Sequence, residues 1–144
     1  SKLKGINFLP LGIVLLSLLP PFVAYRQFFL SDQPIEHKRA GLWLKENAYK
    51  SNPIVMSRKG YVAYYAEGIP VEMPYANYTD VMEYAKHKKV DYIVIDERYI
   101  PKRRPLLAYL LNESQAPKNL KLVYKDESLP HRKILVYKIL SYRY

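Results

Sequence analysis

Two short runs of charged residues stand where an α/β protein does its chemistry. Ser57-Arg58-Lys59-Gly60 follows a short apolar run and precedes a helical pattern. Backbone amides at a helix start, together with the cations Arg58 and Lys59, suit a phosphate or a carboxylate. Asp96-Glu97-Arg98-Tyr99 follows the strongest strand pattern in the chain. If the two preceding runs are neighbouring parallel strands, the clusters face each other at the carboxyl ends of the sheet, where such folds bind ligands. Arg58, Lys59, Asp96, Glu97 and Arg98 are therefore the candidates for an anion- or ligand-binding site. The plainer alternative is an ion pair between Arg58 and Asp96 or Glu97. A nucleotide loop is poorly matched, because the Gly-rich spacing and the Gly-Lys-Ser/Thr order are both missing.

A basic loop, Pro101-Lys102-Arg103-Arg104-Pro105, falls on the same side. It reads as a solvated loop held open by prolines, or as a contact for lipid phosphate or a polyprenyl-phosphate carrier. Tyr61, Tyr64 and Tyr65 share a helical face, which suits packing on the sheet or, alternatively, sugar stacking. His37, His87 and His131 lack metal-ligand spacing, so neither a metal site nor a His-based triad is expected. With no cysteine there is no thiol nucleophile and no thiolate site. Asn77-Tyr78-Thr79 and Asn112-Glu113-Ser114 fit the short N-glycosylation pattern. The net charge of +10 is scattered, and no nucleic-acid-binding motif accompanies it. Attraction to anionic headgroups is the better use of that charge.

The elements that must position these residues alternate. Pro34 is placed to start a helix over residues 36–48, with Ala40, Trp43, Leu44 and Ala48 on its apolar face and Glu36, His37, Lys38 and Lys45 elsewhere. Residues 54–56 predict a first strand and 61–66 a second helix, ended by Gly68. Residues 71–73 predict a brief strand. A helix capped by Asn77 or Thr79 follows, to about residue 88, burying Val81, Met82 and Ala85. Residues 90–95 read as a central strand covered on both faces. A short helix over 105–111 and strands over 120–124 and 134–139 complete the chain. The pattern predicts a small three-layer α/β domain, its sheet mainly parallel, closed by a C-terminal antiparallel hairpin. The first strand should lie beside the 90–95 strand in a doubly wound order.

Before this domain lies an uncharged apolar run, residues 6–24. Continuous apolar stretches of about 18 or more residues can cross a bilayer. Lys2 and Lys4 precede it, and Tyr25, Arg26, Phe28 and Phe29 follow as membrane-interface residues. A signal peptide fits less well, since cleavage after Ala24 would put Phe22 where a small residue is wanted. A buried core helix would carry a polar face, and the run shows none. The expected division is a transmembrane helix and interfacial flank over residues 1–30 and a soluble α/β domain over 31–144. Pro20 and Pro21 would leave backbone groups unpaired, which neighbouring helices can satisfy. They point to a multi-pass parent protein rather than a lone anchor.

Several blocks together carry a resemblance. Lys38-Arg39-Ala40-Gly41-Leu42-Trp43-Leu44-Lys45-Glu46-Asn47 resembles the helix that follows the last membrane span in GT-C type glycosyltransferases, similar to the protein mannosyltransferase and aminoarabinose transferase families. The stretch Val55 to Ala66, the stretch Val90 to Arg98, and the pair Leu122-Val123-Tyr124-Lys125 and Val136-Tyr137-Lys138-Ile139 are similar to successive later blocks of that C-terminal domain. The resemblance implies sugar transfer from a polyprenyl-phosphate donor at the extracytoplasmic face. It places the catalytic acid in an early loop between membrane helices, so no catalytic residue and no cofactor is assigned to this chain. The implied partners are the bilayer, a polyprenyl-phosphate-linked sugar and the remaining transmembrane part of the parent. The tail would then cover the active site or help select the acceptor. The alternative from another class is a membrane-tethered or secreted α/β binding module without enzymatic activity.

Overall fold

The computed structural model describes residues 33–143 and Val23. The chain divides at Gln33/Pro34, and the fold is that of the second unit, Pro34–Tyr144. The apolar run apart from Val23, and the interface residues Tyr25, Arg26, Phe28 and Phe29, lie outside the described residues. Among the described residues no helix is long and apolar enough to cross a membrane.

Helix α1, Ile35–Asn47, begins directly after Pro34, whose fixed φ suits a helix start. Its buried residues are Glu36, His37, Ala40, Gly41 and Leu44. From His37 these recur at i, i+3, i+4 and i+7, one helical face. The face is thus wider than the expected one: Glu36, His37 and Gly41 join it, while Ala48 and Trp43 pack half-buried at its margin, Trp43 against Tyr124 with ring centroids 5.3 Å apart. Gly41 is needed for the approach of α2, Tyr61–Tyr65. A Cβ at position 41 would stand 2.5 Å from the Tyr65 Cβ and 2.7 Å from the Val62 carbonyl oxygen.

Strand β1, Ile54–Ser57, pairs in parallel with β2, Ile69–Glu72, and with β3, Tyr92–Asp96. Pro70 lies within β2, tolerable because β2 is an edge strand. Helix α3, Tyr78–His87, is capped by Asn77, whose side-chain oxygen accepts from the Asp80 amide at 2.9 Å. Its buried stripe is Val81, Met82 and Ala85, as the sequence predicts. After β3 come a single turn, α4 (Ile100–Arg103), and 3-10 segments over Pro105–Leu111 and Glu113–Gln115. Strands β4, Leu120–Asp126, and β5, Ile134–Ile139, form the closing hairpin.

The strand order is β2-β1-β3-β5-β4. β1 and β3 are neighbours, as the doubly wound reading requires. The expectation of a mainly parallel sheet is corrected, because two of the four pairings are antiparallel: β3 with β5 and β5 with β4. The last strand, not β4, inserts beside β3. Burial explains the choice. Ile134 to Tyr137 are all buried, whereas β4 buries only Leu120 and exposes Lys121 and Lys125 as an edge strand should. Helices cover both faces: Ala40, Leu44, Val62 and Ala63 pack on Val55, Val94 and Val136, while Met82, Ala85, Leu107 and Leu110 pack on Met56, Ile93, Ile95 and Leu135. The domain is a three-layer mixed α/β structure.

Candidate functional site

The parallel strands end at Ser57, Glu72 and Asp96, and the β4–β5 loop lies beside them because Asp126 and Asp96 both register with Ile134. The first turn of α1 joins the same end. Its two side chains there, Glu36 and His37, are 1% and 0% exposed, which makes a buried charge cluster the centre of the site.

His37 Nδ1 donates to Glu36 Oε1 at 3.1 Å, and its Nε2 faces Asp96 Oδ2 at 3.7 Å. Tyr61 meets the ring edge-on at 5.7 Å between centroids, and Tyr99 lies against it at 5.8 Å. Arg98 and Arg132 bracket Glu36 at 3.7 and 3.5 Å. Asp96 Oδ1 accepts the Tyr99 amide at 2.6 Å, which fixes the loop that carries Arg98. Burial alone would lower the His37 pKa, but the facing Asp96 carboxylate, the hydrogen bond to Glu36 and the negative charge of both outweigh it, so the imidazole is held above its ordinary range. Burial raises the Glu36 carboxyl, yet its bond with His37, its backbone hydrogen bond and the charges of His37 and Arg132 bring it below its ordinary value. The cluster is a chain of alternating charges through three parts of the fold: α1, the end of β3 and the β4–β5 loop. Because the ring is covered, the arrangement acts as a tie between elements rather than as a base open to a substrate.

Of the sequence-predicted residues, Lys59, Asp96 and Arg98 converge. The Lys59 ammonium and the Arg98 guanidinium both stand by the Tyr99 ring, at 5.8 and 5.4 Å from its centroid. Arg58 turns the other way, to Glu72 at 3.3 Å on the neighbouring strand, so the expected pair with Asp96 or Glu97 does not form. Its loop lines a depression of about 160 Å³ with Pro70, Val71 and Glu72. The helix behind it has only five residues, too short for a strong end charge. Glu97 latches the hairpin: its Oε2 accepts the Lys133 amide at 3.1 Å and its own amide donates to the Lys133 carbonyl at 2.8 Å. In the basic loop only Arg104 is tied down, through Nε to the Met73 carbonyl at 2.7 Å and beside Glu72 at 3.6 Å. Lys102 and Arg103 point outward, exposed.

The tyrosines depart from expectation. Helix α2 buries Val62 and Ala63, so Tyr64 is 76% exposed and Tyr61 39%. A five-residue helix meets the sheet with its two smallest apolar residues because Gly41 brings α1 close on that side. Both Asn residues of the glycosylation patterns serve as local caps; Asn112 accepts from the Ser114 amide at 3.2 Å. Glu36 and His37 are the pair that sequence reasoning missed. The signal was present in the i, i+3, i+4, i+7 series from His37, but a charged first turn reads as solvated.

Compared with known proteins, the chain matches no family model, no curated protein and no solved structure.

Proposed function

We propose that residues 34–144 form the extracytoplasmic C-terminal domain of a multi-pass GT-C type membrane glycosyltransferase that uses a polyprenyl-phosphate sugar donor. The observation that carries the reading is the succession of an uncharged 19-residue run, a proline-started helix with Gly41, Trp43 and Leu44, and an α/β domain. The structure gives those three helix residues physical duties: close helix approach, cover over Tyr124, and full burial. In this reading residues 6–24 are the last membrane span, and the domain is non-catalytic, covering the active site or selecting the acceptor. The catalytic acid belongs to an earlier loop of the parent.

Carbonate washing of membranes tests the attachment, and protease added from the extracytoplasmic side tests the orientation. The expected result is retention through the wash and removal of the α/β domain by the outside protease. Release by carbonate, or protection from that protease, overturns the reading.

A further inference from the structure

We infer that the strand-end face of the domain docks on anionic lipid headgroups through Lys59, Lys102 and Arg103, with Tyr75 at the interface. The inference deepens the reading above and rests on the domain being held at a membrane. Three observations carry it. The first is a surplus of charge. At this end most acids are matched by cations: Glu72 by Arg58 and Arg104, Asp126 by Arg39, Glu127 by Lys125 and Lys133, while Glu97 accepts the Lys133 backbone amide. Glu36 and Asp96 are consumed inside the His37 cluster. Among the described residues, Lys59, Lys102 and Arg103 make no ion pair. The second is the company of an amphipathic ring. Tyr75, 68% exposed and just beyond the end of β2, lies under the Arg104 guanidinium at 5.8 Å. Tyrosine with an apolar ring and a polar tip is the side chain of membrane–water boundaries. The third is connectivity. The chain joins the domain at Pro34, one residue before Ile35 and two before the buried Glu36, and so at this same end. Only residues 31–33 separate Pro34 from the flank of the apolar run.

Phosphate headgroups supply the charge that these cations lack, and such attraction is screened by salt. The absence of cysteine makes the test direct, because any introduced cysteine is unique. The full chain is reconstituted into vesicles of phosphatidylcholine alone or of phosphatidylcholine with phosphatidylglycerol, each carrying a headgroup-attached quencher. A fluorophore is placed through Tyr75→Cys, or through Lys88→Cys in the turn that leads into the opposite ends of the strands. Quenching at position 75, dependent on phosphatidylglycerol and lost at high salt, is expected, with position 88 unquenched. Joint replacement Lys59→Gln, Lys102→Gln and Arg103→Gln should lower the docked-to-free ratio roughly tenfold or more, since a cation near an anionic surface is worth roughly fivefold. Its melting curve should not move. Equal quenching at both positions, or quenching at 75 that ignores lipid charge and the triple replacement, overturns the inference. Carbonate extraction separates the two claims. A chain stripped by carbonate that still floats with anionic vesicles, and only with the three cations intact, overturns the anchor and keeps the docking face.

Discussion

At the scale of single residues, His37 holds more of the fold than its position in a charged first turn suggests. Removing one partner of a buried ionic cluster leaves the others uncompensated, so His37→Ala should lower stability by about 3–5 kcal/mol in denaturant titration. Asp96→Ala falls in the same class, because it strands both His37 and the Tyr99 amide. Arg58→Ala is the control. It loses one pair with Glu72, which is 70% exposed, and should shift stability by less than about 1 kcal/mol. The pH dependence follows from the two directions. His37 is raised in the folded state, so its contribution is complete below its unfolded pKa and is lost as pH rises through the folded value. Glu36 is lowered, so its contribution is complete above its unfolded pKa and is lost as pH falls through the folded value. Stability from the cluster is therefore greatest between the ordinary carboxylate and imidazole ranges. The groups facing the ring are Glu36 on α1, Tyr61 on α2, Asp96 on β3, and Tyr99 beyond it, with Arg98 and Arg132 behind Glu36. Urea midpoints taken upward from about pH 6.5 should fall in the native chain and fall less in His37→Gln. A parallel decline in both would remove His37 as the cause.

At the scale of elements, the junction of α1 and α2 is set by one missing methyl group. Gly41→Ala places a Cβ against backbone and a neighbouring Cβ, neither of which can swing away, so overpacking of about 1–3 kcal/mol is expected. Thermal unfolding reads it, and a smaller residue at Tyr65 does not relieve it, because the Val62 carbonyl oxygen remains at 2.7 Å. Much of this level was legible beforehand. Asn77 and the Val81–Met82–Ala85 stripe placed α3, and the apolar 90–95 run placed β3, since both signals are local. Strand partners were less so. Nothing within residues 120–124 or 134–139 says that β5 rather than β4 joins β3; that follows from which strand the two helical layers bury. The candidate site divides the same way. The position of Asp96 at a strand end was readable from periodicity. The turn of Arg58 toward Glu72 depends on the β1–β2 register, a long-range property.

At the scale of the whole molecule, the mixed α/β domain would, under the proposed function, sit on a membrane as part of a parent enzyme. The domain end that carries the buried cluster also receives the chain at Pro34, so the His37 tie fixes how α1 leaves the sheet. The reading of sugar transfer rests on what precedes Ser1. The most direct measurement is the sequence of the gene upstream of the Ser1 codon. The expected result is an open frame with several further apolar spans and acidic residues in the first extracytoplasmic loop. An initiator codon immediately before Ser1 would contradict it.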